Sequence, residues 1–131
     1  MAVVNQTIMD TRFKTIIKST ITGTNATEVL VDVSTLVGYV DNLSIVNLAA
    51  INWSINGSIQ LHWDTAKTLM YLDGNGKMGG ANGFTALPNN QIASAGRGDI
   101  RITHSAARVG FIVLVCHKVE SVVGQGGGWS N

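Results

Sequence analysis

Apolar and polar residues alternate with a period of two along most of this chain, and that period confines it to β-structure. From Arg12 to Ile21, Phe13, Thr15, Ile17, Ser19 and Ile21 fall on one side and Lys14, Ile16, Lys18 and Thr20 on the other. Successive strand residues point to opposite faces, so this pattern predicts a strand with one face turned inward. Glu28 to Leu36 repeats it, with Val29, Val31 and Val33 expected inside and Leu30, Asp32 and Ser34 outside. Ile51-Asn52-Trp53-Ser54-Ile55 alternates again. Asn56-Gly57 after it is a strong two-residue hairpin signal. It predicts a return strand from Ser58 to Asp64, with Ile59, Leu61 and Trp63 inside and Gln60, His62 and Asp64 outside. Trp53 and Trp63 would then be diagonal neighbours in the core. Further strands are expected at Thr68–Asp73, Asp99–His104 and Gly110–Glu120, with a tight turn at Gly74-Asn75-Gly76. No segment carries a defensible helical period.

At 131 residues the chain is long enough for one domain with its own core. Residues 1–11 read as an N-terminal arm, 12–123 as the β-domain, and 124–131 as a flexible glycine-rich tail that includes Trp129. The stretch from Lys77 to Gly96 reads as a long loop, a place where contacts are often made. Its apolar members Met78, Phe84, Leu87 and Ile92 need somewhere to pack. About eight short strands joined by turns predict an all-β protein, an antiparallel β-sandwich of the jelly-roll kind, with a closed β-barrel as the alternative.

The surface of such a fold has little to keep it apart from other chains. Only 13% of the residues are Asp, Glu, Lys or Arg, about half the usual share of ~25%. Charge is what holds monomers apart in solution. Nine basic and eight acidic residues are scattered without a block of either sign. That excludes a dedicated nucleic-acid surface, which needs clustered Lys and Arg. Arg12, Lys14 and Lys18 share one strand face, and a solvated face accounts for them. No apolar run approaches the ~20 residues of a membrane helix. Met1-Ala2-Val3-Val4-Asn5 lacks the charged and apolar regions of a secretory signal, so an intracellular origin is expected.

Little in the chain points to chemistry. Cys116, the one cysteine, sits in Phe111-Ile112-Val113-Leu114-Val115-Cys116 and reads as a small buried hydrophobe rather than a nucleophile. His62 and Asp64 could meet His104 or Asp99 at a metal, but exposed strand residues explain them better. Gly74-x-Gly76-x-x-Gly79 has the spacing of a dinucleotide loop, yet Gly80-Ala81-Asn82-Gly83 cannot continue as the helix that mechanism requires. No strained nucleophile elbow is present. Eight acids allow many carboxylate pairs, and the sequence singles out none. No catalytic residue, metal or cofactor is expected.

From Ile51 to Lys118 the order of features resembles the small accessory virion proteins of tailed bacteriophages, of the capsid-decorating or head-stabilising kind. The residues that carry the likeness are Ile51-x-Trp53-x-Ile55, a short glycine turn and Ile59-x-Leu61-x-Trp63-Asp64. Leu72-x-Gly74-x-Gly76, Gly98-Asp99-Ile100-x-Ile102 and Phe111-Ile112-x-Leu114-x-x-x-Lys118 follow. The resemblance implies a β-sandwich made in the host cytoplasm and carried on the capsid surface of the virion. It implies binding to the major capsid protein and self-association as a homotrimer. The contact residues expected from exposure and position are Val3, Val4, Ile8, Met78, Phe84, Leu87 and Trp129. A tail or neck component of the virion is one alternative. A carbohydrate-binding module using exposed aromatics is another.

Overall fold

A computed structural model describes residues 3–40, 44–63, 67–79 and 99–120. It bears out the all-β, antiparallel expectation. Seven strands form one sheet: β1 (Val3–Asp10), β2 (Lys14–Ile21), β3 (Asn25–Val31), β4 (Ser44–Trp63), β5 (Lys67–Gly79), β6 (Ile100–His104) and β7 (Gly110–Glu120). Their order is β1-β2-β7-β4-β6-β3, with β5 paired to β4, and every pairing is antiparallel. The sheet curls into a half-barrel.

The curl comes from β4, which is 20 residues long. Its first half, through Ile55, pairs with β7. Its last residues, Gln60 to Trp63, pair with β6 instead. β5 follows it along both halves. At the corner the β4–β5 register shifts between Ser54 and Ser58, so three β4 residues stand against Gly74. Gly74 has φ +64°, a conformation open to glycine without cost. Such a bulge lets one strand pass between two differently oriented parts of a sheet.

This corner corrects two expected turns. Asn56-Gly57 is not a hairpin, and Gly74-Asn75-Gly76 is not a tight turn; both lie inside strands. Asn56 is held by both main chain and side chain: its N–H donates to Val109 O (3.3 Å), and its Oδ1 accepts from Val109 N (2.9 Å). A turn-favouring pair is thereby used as a bulge. Trp53 and Trp63 are consequently not diagonal neighbours. Trp63 is buried beside Ile100, whereas Trp53 lies across Gly76, where its ring fills the space a side chain would need, and donates Nε1 to Asp73 O (3.2 Å).

The concave face carries the core. Ile21, Gly110 and Ile55 form one cross-strand row, Ile17, Leu114 and Ile51 another, and Thr15, Cys116 and Leu48 a third. Beyond the corner, Leu61 and Ile102 pair, as do Trp63 and Ile100. Buried hydroxyls on this face of β2 are bonded: Ser19 Oγ donates to Asn5 Oδ1 (2.6 Å) and Thr15 Oγ1 to Met9 O (3.1 Å).

The alternation over Glu28–Leu36 does not run as one strand. β3 ends at Val31, and Val33–Thr35 is a single 3-10 turn. Two carboxylates make it: Asp32 Oδ1 accepts from Ser34 N (3.1 Å), and buried Asp99 Oδ1 accepts from Val33 N (2.9 Å). A register shift between Val29 and Val31 turns Leu30 inward as well, so Leu30, Val31 and Val33 are all buried. Phe13, expected inside with Ile17, precedes the first β2 residue and stands 70% exposed.

Candidate functional site

The residues most open to a partner lie along β1 and at its C-terminal end. Among the described residues β1 is an outer strand, its backbone paired with β2 alone. Only its first residue is buried: Val3 opposes Ile21 and is 8% exposed, while Val4 through Met9 are exposed. Val3 is therefore a core residue rather than a contact residue, and this corrects its expected role. Val4 points the other way and is 70% exposed. Ile8 occupies the irregularity between Thr7 and Met9, a β-bulge that leaves it unpaired and 54% exposed. Met78 is only partly open and packs against the core from β5. Phe84, Leu87 and Trp129 lie outside the described residues, as does Asp64.

Beside Tyr71 and Val109, the exposed apolar residues that the expected contact set lacks are Met9, Phe13 and Val37. Phe13 carried the inward signal of the alternation, and Val37 stood beyond an expected strand. A buried lysine brings them together. Lys118 Nζ donates to Asp10 Oδ1 (2.6 Å), Thr11 O (2.5 Å) and Val37 O (2.7 Å), and its side chain has no exposed surface. Asp10 Oδ2 accepts from Val37 N (2.9 Å), and Lys118 N donates to Phe13 O (2.8 Å). The end of β1, the turn before β2 and the segment at Val37 are thus tied to β7. Val4, Ile8, Met9, Phe13 and Val37 consequently lie along one strand and around its tied end. Val3 to Met9 contains no charged residue, and the carboxylate that follows is matched by Lys118. Arg12 lies over the Phe13 ring, 5.3 Å from its centroid.

Nothing among the described residues forms a cluster of three or more His, Cys, Asp or Glu suited to a metal. His62 was expected on the outside. It is buried at 3% exposure, and its Nε2 lies 2.8 Å from Thr103 Oγ1. His104 is also buried, with Nε2 against Asn25 Nδ2 (2.7 Å) and Nδ1 against Ala106 O (2.9 Å). The amide nitrogen can only donate, so Nε2 accepts and Nδ1–H donates to the carbonyl. Both rings are thereby occupied by their neighbours.

Cys116 is buried in the third core row, and His117 beside it is exposed on the opposite face. Burial pushes the Cys116 thiol up from 9.0 to about 12. It is expected to resist thiol-labelling reagents at pH 8 until the protein unfolds, which absorbance during a urea titration would record; rapid labelling of native protein would contradict the burial. The linkage has one sign. Between pH 9 and about 12 the unfolded thiol loses its proton while the folded one keeps it. Cys116 therefore contributes no pH dependence below 9, and stability falls as pH rises through that window.

The glycine spacing at Gly74, Gly76 and Gly79 falls inside β5, with no helix to follow it among the described residues. No helix among them is long and apolar enough to cross a membrane. No known protein family, curated protein or solved structure matches the chain.

Proposed function

We infer that this chain is a structural subunit of a larger assembly, a capsid-decorating virion protein. In this reading it is made in the host cytoplasm, self-associates as a homotrimer and binds the major capsid protein at the shell surface. One observation carries it: β1 is an outer strand that presents Val4, Ile8 and Met9 without a charge from Val3 to Met9.

An outer strand offers unpaired N–H and C=O groups to any passing strand, and soluble proteins guard such edges with Lys, Pro or inward charges. Among the described residues the edge carries the bulge at Ile8 and one side-chain bond, Asn5 Nδ2 to Val29 O (2.8 Å), but no Lys or Pro. Phe13 and Val37 extend the apolar surface past the strand end. A contact between β1 and a different surface of the next protomer is heterologous and closes into a ring when the rotation allows. Three such protomers would then meet the shell together, and avidity would strengthen a weak individual contact.

Light scattering on the purified chain tests this. The expected mass is three times 13.9 kDa. Val4→Lys with Ile8→Lys is expected to return it to the mass of one chain without loss of the far-ultraviolet β signal. The same double variant should no longer sediment with shells of the source virion. A parent protein that stays monomeric at high concentration and ignores the shells would remove both parts of the reading.

A further inference from the structure

A second feature stands on the other side of the corner, on the convex face formed by β5, β4 and β6. Tyr71, Gln60 and Thr103 make one cross-strand row there. With Ser58, Ser105, Ala106 and Arg108 they line an open groove of about 380 Å³. That volume falls in the range of small-molecule sites. Tyr71 is 72% exposed, so its ring is a free wall rather than a core member.

The polar groups of the groove are partly fixed and partly available. Arg108 is fixed at one end: its Nε donates to Ser58 O (3.0 Å) and its Nη1 to Ala107 O (3.4 Å). Its guanidinium fills the space above Gly57, where any side chain would collide with it. Nη2 has no partner among the described residues. Gln60 Nε2 donates to Thr68 Oγ1 (2.9 Å), which holds the amide and leaves its oxygen as an acceptor. The hydroxyls of Ser58, Ser105 and Tyr71 have no partner among the described residues. Thr103 Oγ1 is already engaged by Thr27 N (3.0 Å) and His62, so it supports the floor and does not reach outward.

We propose that this groove binds a saccharide, with one pyranose ring stacked on Tyr71 and its hydroxyls bonded to Gln60 Oε1, Ser58, Ser105 and Arg108 Nη2. A pyranose has an apolar C–H face and a rim of hydroxyls that both give and accept hydrogen bonds. An exposed phenol ring beside a held amide and a held guanidinium matches both parts. A nucleic-acid strand fits less well, because Asp73 stands two residues along the same strand from Tyr71 and the groove lining holds one Arg and no Lys. An extended peptide would add to a strand edge, whereas β4 and β6, which carry Gln60 and Thr103 in the groove floor, are paired on both sides.

The proposal does not rest on β1. Titration of the ¹⁵N-labelled full chain separates the two. The probes are soluble oligomers of neutral hexoses, of N-acetylhexosamines and of uronic acids. At least one class is expected to shift the amides of Gln60 and Tyr71 and the Arg108 Nε–H signal together, with a Kd of about 1 mM or tighter. Tyr71→Ala should weaken that binding at least tenfold, and Tyr71→Phe should weaken it far less. Arg108→Gln should reduce binding of uronic-acid oligomers more than of neutral ones if the guanidinium meets a carboxylate, and equally if it meets hydroxyls. Val4→Lys with Ile8→Lys should leave the shifts unchanged. No shift with any of the three classes, or shifts that Tyr71→Ala leaves intact, would overturn the proposal.

Discussion

Replacing Lys118 with methionine is expected to lower the unfolding free energy by about 3–5 kcal/mol, the usual result of removing one member of a buried ion pair. The ammonium is fully covered and holds Asp10 together with two main-chain carbonyls, at Thr11 and Val37. Methionine fills similar space but donates nothing. The Asp10 carboxylate, only 14% exposed, then loses its ammonium partner. Asp10→Ala leaves the opposite defect, a covered ammonium without that carboxylate. The double variant removes both charges and is expected to lose clearly less than the sum of the singles. Urea unfolding of the four proteins measures this coupling. Additive losses, or a Lys118→Met protein within ~1 kcal/mol of the parent, would show that the lysine does not tie the segments together. The tie also bears on the proposed contact surface. Without it, Met9, Phe13 and Val37 are no longer held at the end of one strand.

Gly110→Ala is the second large effect. Gly110 lies between Ile21 of β2 and Ile55 of β4, where the two strands close on it from both sides. A methyl group there would overlap Ser54 O and stand 2.8 Å from Ile55 Cα. Both obstacles are main chain at the start of the corner, so neither can move aside by a rotamer change. The expected loss is about 3 kcal/mol, the upper part of the range for overpacking. Gly74→Ala is the contrast. Its φ of +64° disfavours a side chain, but nothing lies within 4 Å of the added carbon. The cost there is the left-handed backbone alone, about 1–2 kcal/mol. Thermal unfolding of both variants ranks the two effects. A milder loss at Gly110 than at Gly74 would mean that β4 and β7 can part at the corner without strain.

Much of the strand content was legible in the sequence. Thr15, Ile17, Ser19 and Ile21 face inward as their alternation predicts, and so do Ile59, Leu61 and Trp63. Cys116 is the buried apolar group its surroundings describe. The exposure of Val4 and Ile8 was less secure, because β1 has no strong alternation and its inward residue, Val3, looks in sequence like the exposed Val4 beside it. The groove around Tyr71 could not be read at all. Its members come from β4, β5, β6 and the segment before β7, and nothing in the spacing of Gln60, Tyr71 and Arg108 announces that they meet.

By itself, then, the sequence determined the β-class, the inward faces of β2 and of the second half of β4, and a surface poor in charge. These follow from side-chain period and composition, which act locally or in sum. Tertiary structure alone decided where the chain bends and what it exposes. Asn56-Gly57 and Gly74-Asn75-Gly76 have turn chemistry, yet β7 and β6 take successive halves of β4 and draw both segments into a bulged ribbon. A glycine pair permits a turn and a bulge equally, and the choice falls to strands that are distant in sequence. For the same reason, Lys118 counts as a surface charge in the sequence and as a fully covered tie in the fold, because Asp10, Thr11 and Val37, which it holds, arrive from far along the chain.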